Sequence, residues 1–196
     1  MDRSAIIDFF NMRAPTWDAE QIRNECVIEK ILDCGEITAG KRVLDVACGT
    51  GVLFEDYRKR NVARVIAIDI SPEMVKIAQQ KCQDSQIKVI CGDVQNLELE
   101  QRVDCVMIYN AFPHFPEPEK LIEYLSKLLV PGGRLTIAHG MSRAVVDDCH
   151  RGRAKHVSVG LMHENVLADR MKLWFAVDTV ISDAEKYIVS GIVKMK

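Results

Sequence analysis

The stretch Val43-Leu-Asp-Val-Ala-Cys-Gly-Thr-Gly51 decides the fold. Its first half is short, apolar and rich in β-branched residues, the pattern of a strand buried on both faces. Its second half holds Gly49 and Gly51, and residues 51–60 then read as a helix ending in Arg58-Lys-Arg60, where cations suit the helix dipole. A buried strand that runs through a glycine loop into a helix N-terminus brings free N–H groups close to a ligand. A phosphate is the obvious candidate, but no Gly-Lys-Ser/Thr follows, so the P-loop pattern fails. With Gly49 and Gly51 as the first pair of a dinucleotide fingerprint, the third glycine position holds Phe54, too bulky for close helix–strand packing. Asp45 adds an anion just before the loop. That disfavours a pyrophosphate and suits the ammonium of an amino-acid moiety, directly or through water.

Outward from this stretch, strands and helices alternate. Residues 64–70, 87–91, 103–109 and 134–139 read as short Val/Ile-rich strands. Ser71-Pro72-Glu73 opens a helix with a cap, a first-turn proline and an early acid. Residues 118–129 read as a helix stopped by Pro131-Gly-Gly133. The order βαβαβ followed by βαβ predicts an α/β, doubly wound sheet. Residues 175–181 and 187–193, joined by a short connection, predict an antiparallel hairpin. The first forty residues read as helical over 4–12 and 18–34, broken at Pro15, with Ile22, Cys26, Ile31 and Cys34 near helical spacing and Gly35 as a C-terminal cap.

Two further acids are regularly placed. Asp69 ends the second strand and Asp93 the third, so with Asp45 three carboxylates lie at the C-terminal ends of consecutive parallel strands, where such sheets bind ligands. Asp69 can accept both hydroxyls of a ribose, and Asp93 can accept from an adenine amino group.

Composition narrows the function classes. The 196 residues are 48% hydrophobic and 28% charged with a net charge of −2, which argues against a nucleic-acid partner. No stretch approaches the roughly 18 apolar residues of a membrane span. Met1-Asp2-Arg3-Ser4 has no basic run leading into an apolar core, so no secretory signal is expected. The seven cysteines (26, 34, 48, 82, 91, 105 and 149) include no C-x-x-C pair, which argues against a zinc site. Cys91 and Cys105 fall inside strands read as buried. Unpaired, scattered thiols predict a reducing cytoplasm.

Val43–Gly51 with Ile68-Asp-Ile-Ser-Pro-Glu-Met74, Gly92-Asp93-Val94 and Leu128-Leu-Val-Pro-Gly-Gly-Arg-Leu135 resembles the successive motifs of class I S-adenosylmethionine-dependent methyltransferases. Phe9-Phe-Asn-x-x-Ala-x-x-Trp17-Asp18 resembles the opening of small-molecule members, including the quinone-biosynthesis type. The resemblance implies a Rossmann-like sheet of seven strands, the last antiparallel, under an N-terminal helical lid. The expected layout is one domain: a lid over 1–40, a cofactor-binding core over 41–140, a helical insert over 141–174 and a terminal hairpin over 175–196. It also implies S-adenosylmethionine as cofactor, with the Asp45–Gly51 loop on the methionine moiety, Asp69 on the ribose, Asp93 on the adenine, and Ile70, Met74 and Val94 packed against the adenine. Ala47 stands where the family most often has its first glycine, a replacement common among relatives.

The acceptor is less legible. The fourth strand ends in Tyr109-Asn-Ala-Phe-Pro-His114, without the Asn/Asp-Pro-Pro-aromatic signature of exocyclic-amine methylation, so Asn110 is expected at the cofactor's amino-acid end. His114 follows the fourth strand and His139 ends the fifth. Both are candidates for a general base toward a hydroxyl or thiol. His150, His156 and His163 fall in the insert, with His150, Phe10 and Trp17 candidates for substrate or lid contacts, and no metal site is expected. Arg143, Arg151 and Arg153 could meet an anionic substrate, though a solvated basic face explains them as well. The predicted activity is methyl transfer to a small-molecule O, N, S or C nucleophile by a monomer or homodimer. The alternatives are a non-catalytic cofactor-binding regulator and, less favoured, arsenite methylation, which needs three cysteines near the crevice.

Overall fold

The computed structural model describes residues 2–82, 85–151 and 155–195, with five parallel strands: β1 (Arg42–Val46), β2 (Arg64–Asp69), β3 (Ile87–Cys91), β4 (Val103–Tyr109) and β5 (Leu129–His139). With β6 (Phe175–Ser182) and β7 (Tyr187–Val193) they form one sheet in the order β3-β2-β1-β4-β5-β7-β6. β7 is antiparallel to both neighbours, as the tail hairpin requires. The chain steps from β1 toward β3, then crosses to β4 and continues the other way. That reversal leaves a crevice at the C-terminal ends of β1 and β4.

Both sheet faces are covered because successive residues point to opposite sides. Val43, Val65, Ala67, Cys105 and Met107 pack with Val27, Ile28, Ile31 and Leu32 of α2 (Glu25–Cys34) and with Phe54 and Tyr57 of α3 (Phe54–Lys59). The remaining helix on that side, α4 (Pro72–Gln80), contributes Ala78. Leu44, Val46, Val106, Ile108 and Leu135 face the other way. They meet Leu121, Ile122 and Leu125 of α5 (Pro118–Leu128) and Leu167 and Met171 of α7 (Glu164–Met171). Two apolar layers thus account for the continuous hydrophobicity of β1 and β4.

Several expectations are corrected. The N-terminal helix does not break at Pro15: α1 (Arg3–Glu20) runs through it, and the break falls at 21–24. A proline in that place removes one backbone donor without ending the helix, and packing of α1 along α4 compensates for the lost bond. Asn24 caps the next helix by accepting from the Val27 N–H. Ile22 is therefore in the linker, 89% exposed, and the buried face of α2 is Val27, Ile28, Ile31 and Leu32. Gly35 does cap α2, but at φ −80°; the left-handed residue is Glu36. Glycine serves there because a Cβ would lie 3.1 Å from Met107 Cε and 3.3 Å from Thr136 Oγ1. Pro131-Gly-Gly133 lies within β5 as a register irregularity against β4, not as a separate stop. Cys91 is exposed, since β3 is an edge strand, whereas Cys105 is buried.

The insert holds α6 (Arg143–Arg151), a short 3-10 turn at Lys155–Val157, and α7. Val157 packs on Ile6 of α1, so the insert props the N-terminal helix over the crevice. No helix among the described residues is long and apolar enough to cross a membrane.

Candidate functional site

A cavity of about 180 Å³ opens at the C-terminal edge of the sheet, far beyond the roughly 10–15 Å³ that one water needs. Its floor is made of strand ends. From β1 and its loop come Asp45, Ala47, Cys48 and Gly49; from β2 and α4 come Asp69, Ile70 and Met74; from β3 come Gly92, Asp93 and Val94. Tyr109, Asn110 and His114 close the β4 side, and Arg3, Ile6, Phe10 and Trp17 of α1 form the roof. Arg3, Phe10 and Trp17 are spaced by seven, two turns of helix, so all three face the floor.

The loop after β1 is wound tightly. Ala47, Gly49 and Gly51 have φ of +55°, +56° and +82°. A left-handed alanine is costlier than glycine, and the fold holds it by local bonds. Cys48 N–H donates to the Ile68 carbonyl at 3.1 Å, Gly51 N–H to the Cys48 carbonyl at 3.0 Å, and Gly49 N–H to Asp69 Oδ2 at 2.8 Å. Gly51 is absent from the cavity wall: a Cβ there would lie 2.5 Å from the ring of Phe54, which is itself fully buried. The ring that spoils a dinucleotide fingerprint thus packs directly beneath the loop.

The three carboxylates have distinct surroundings. Asp45 is 2% exposed, and burial pushes its pKa up to about 8; the adjacent Tyr57 phenol opposes the shift and the charge of Asp69 adds to it. Burial also raises Asp69, against bonds from the Ser71 and Gly49 N–H groups, both 2.8 Å long, and from the Ile70 N–H. Asp93 Oδ1 accepts from the Gln95 N–H at 3.0 Å, and its Oδ2 pairs with Arg3 of the roof. Acceptor oxygens at three places, with one roof cation already paired, suit a ligand that carries positive charge, hydroxyls and an amino group. They do not suit a polyphosphate.

Among the histidines, His114 borders the cavity. Its Nδ1 lies 2.7 Å from the Val157 carbonyl, and its ring meets Phe10 edge-on at 4.9 Å between centroids. A carbonyl only accepts, so Nδ1 carries a proton, and in the neutral form of the ring the lone pair belongs to Nε2. His139 is not on the cavity wall. It is 1% exposed and packs edge-on against Tyr187, its register partner on β7. The wall beside β5 is made instead by Asn110, at φ +55°, whose Oδ1 accepts from the Gly140 N–H at 2.9 Å. His150 sits on α6, but its side chain lies outside the described residues, as does Arg153. His156 meets Phe9 edge-on, and His163 caps α7. Arg143 pairs with Asp147 and Glu164, and Arg151 with Asp148, so neither is held ready for an anionic substrate. Cys48 is the one cysteine on the cavity wall among the described residues, which leaves arsenite methylation without its thiol cluster.

Sequence reasoning did not assign Arg3 or Tyr109 to the site. The spacing 3-10-17 was the available signal for Arg3.

Comparison with known proteins agrees with this geometry. Residues 43–133 match the family described as methyltransferase domain. A ubiquinone biosynthesis O-methyltransferase of Xanthomonas oryzae pv. oryzae is 38% identical over 104 residues, 51% of this chain and 43% of the relative. The chain thus spans about half the length of the curated relatives it matches. Among solved structures, a chain from a complex between a methyltransferase activator of Haloferax volcanii and a methyltransferase superposes with a TM-score of 0.81. It is 18% identical, and the superposition covers 95% of this chain and 98% of the other. Magnesium protoporphyrin IX methyltransferase from Synechocystis, solved with bound S-adenosylhomocysteine, has a TM-score of 0.70 at 19% identity, with 98% and 100% coverage. Strand order, glycine loop and family match converge: residues 43–133 match a methyltransferase domain, on a sheet shared with solved methyltransferases.

Proposed function

We infer that this chain transfers a methyl group from S-adenosylmethionine to the hydroxyl of a small, uncharged aromatic acceptor. The observation that carries the reading is the meeting, in one cavity, of Asp45, Asp69 and Asp93 with an aromatic roof and His114. In this reading the Asp45–Gly51 loop and Asn110 hold the methionine end and Asp69 the ribose. Asp93 takes the adenine amino group, with Ile70, Met74 and Val94 against the ring. When bound, the cofactor supplies an electrophilic methyl on a sulfonium sulfur, so the protein's task is alignment and proton removal.

His114 fits the second task. Val157 fixes its tautomer, and Nε2 then accepts the acceptor's hydroxyl proton as the oxygen takes the methyl. Phe10 and Trp17, whose rings meet at 5.7 Å, offer faces and edges to a planar acceptor. The cavity wall supports an uncharged acceptor because Arg3, its one Arg or Lys among the described residues, already pairs with Asp93. The Xanthomonas relative's name, an O-methyltransferase, supports oxygen as the nucleophile. Seven cysteines outside any disulfide support work in a reducing cytoplasm.

Purified protein incubated with methyl-labelled cofactor and a panel of phenols, catechols, aromatic acids and aliphatic amines tests the assignment. Label should pass to the uncharged phenols or catechols. Transfer confined to acids or amines contradicts the acceptor class, and binding without any transfer favours a cofactor-binding regulator.

A further inference from the structure

The glycine loop is anchored by three bonds within the sheet edge and one from outside it. Thr50, at the centre of the loop, is fully buried, and its hydroxyl donates to Asp18 Oδ1 at 2.5 Å. Asp18 belongs to the last turn of α1, the roof helix. Its second oxygen, Oδ2, is 2.7 Å from Lys81 Nζ at the C-cap of α4. These hydrogen bonds lower the Asp18 pKa despite partial burial, so the carboxylate stays charged. One residue along, Trp17 packs toward the same loop: its Nε1 lies 3.8 Å from where a Gly49 Cβ would stand.

We propose that Asp18 is a positioning residue for the cofactor loop: through Thr50 it makes the bound shape of residues 47–51 depend on closure of α1. The inference rests on the reading of that loop as the methionine-end cradle. The physical reason is the cost of a buried hydroxyl without a partner. If α1 lifts, Thr50 loses its acceptor while Ala47, Gly49 and Gly51 must still hold left-handed backbone. Closure and cofactor binding then favour each other, and linkage makes the coupling reciprocal.

Calorimetry with S-adenosylhomocysteine on D18A, T50V, the D18A/T50V double variant and T50S tests this. Fluorescence of Trp17, with Trp174 replaced by Phe, reports the lid. D18A and T50V should each weaken binding about ten-fold, the effect of losing a charge-assisted hydrogen bond. The double variant should be no worse than either single one, because both remove the same bond. T50S keeps the hydroxyl and should bind within two-fold of the natural protein. The Trp17 response to ligand should survive in T50S and shrink in D18A. Binding by D18A within two-fold of the natural protein, or fully additive losses in the double variant, overturns the proposal. Failure of the natural protein to bind the ligand at all would instead sink the reading of the loop on which the proposal stands.

Discussion

The floor and the roof of the cavity are built by different means. The floor consists of residues at the ends of β1, β2 and β3, held by ladders whose register runs from Arg42↔Arg64 to Asp69↔Cys91. The roof is one helix, α1, attached by side chains. Besides the Arg3–Asp93 and Asp18–Thr50 contacts, Asn11 Oδ1 accepts from Ser71 Oγ at 2.7 Å and from the Glu73 N–H at 3.3 Å. Shifting the floor means breaking a sheet. Shifting the roof means exchanging a few polar contacts, most of them partly exposed, and unpacking the two buried side chains of α1, Ile6 and Ala14. A rigid cradle under a releasable cover suits a cofactor that must be exchanged after every turnover.

The largest test of this contrast is Asp69→Ala. It removes the acceptor of the Gly49 and Ser71 N–H groups as well as the group assigned to the ribose, so cofactor affinity should fall at least 100-fold in calorimetry. The melting temperature should fall too, which no single roof variant should match. Next, His114→Ala should lower kcat about 10²- to 10³-fold while the cofactor Kd moves less than three-fold. A comparable loss in both would make the histidine a packing residue for Phe10.

The third test is pH. A cation at the methionine end binds the charged form of Asp45, whose pKa in the folded chain stands near 8, so cofactor affinity should rise from pH 6 to pH 8 and level off above. The sign for stability is opposite. Because folding raises this pKa from an ordinary 3.8, the unfolded chain loses its proton first, and stability declines as pH rises from about 4 through about 8. Asp45→Asn should flatten both profiles at that position. The smallest effect is expected for Ala47→Gly: relief of a left-handed alanine and added freedom in the unfolded chain nearly offset, leaving a change below about 1 kcal/mol in chemical denaturation.

The same contrast decides what could be read in advance. Floor residues follow from short-range pattern: a strand's end is where its apolar run stops, and Asp45, Asp69 and Asp93 stand there because β1, β2 and β3 end one beside another. The roof depends on contacts across the chain. Pro15 reads locally as a break, yet α1 continues because its neighbours lie along α4 and at Val157, more than fifty residues away. His139 shows the limit in another form. Its place at a strand end is right, but β5 ends one strand beyond the switch point, and the ring is buried against Tyr187 of β7. Gly35 has the mirror-image lesson: the residue type fits a cap, while the reason for it is the Met107 and Thr136 side chains across the interface.

The central claim, that the strand-end carboxylates hold the methyl donor, is tested most directly by calorimetric titration of S-adenosylhomocysteine into the natural chain and into Asp69→Ala under the same conditions. The account predicts one saturable site per chain in the first and at least 100-fold weaker binding in the second. Equal affinity in the two proteins, or no binding to the natural chain, would contradict it.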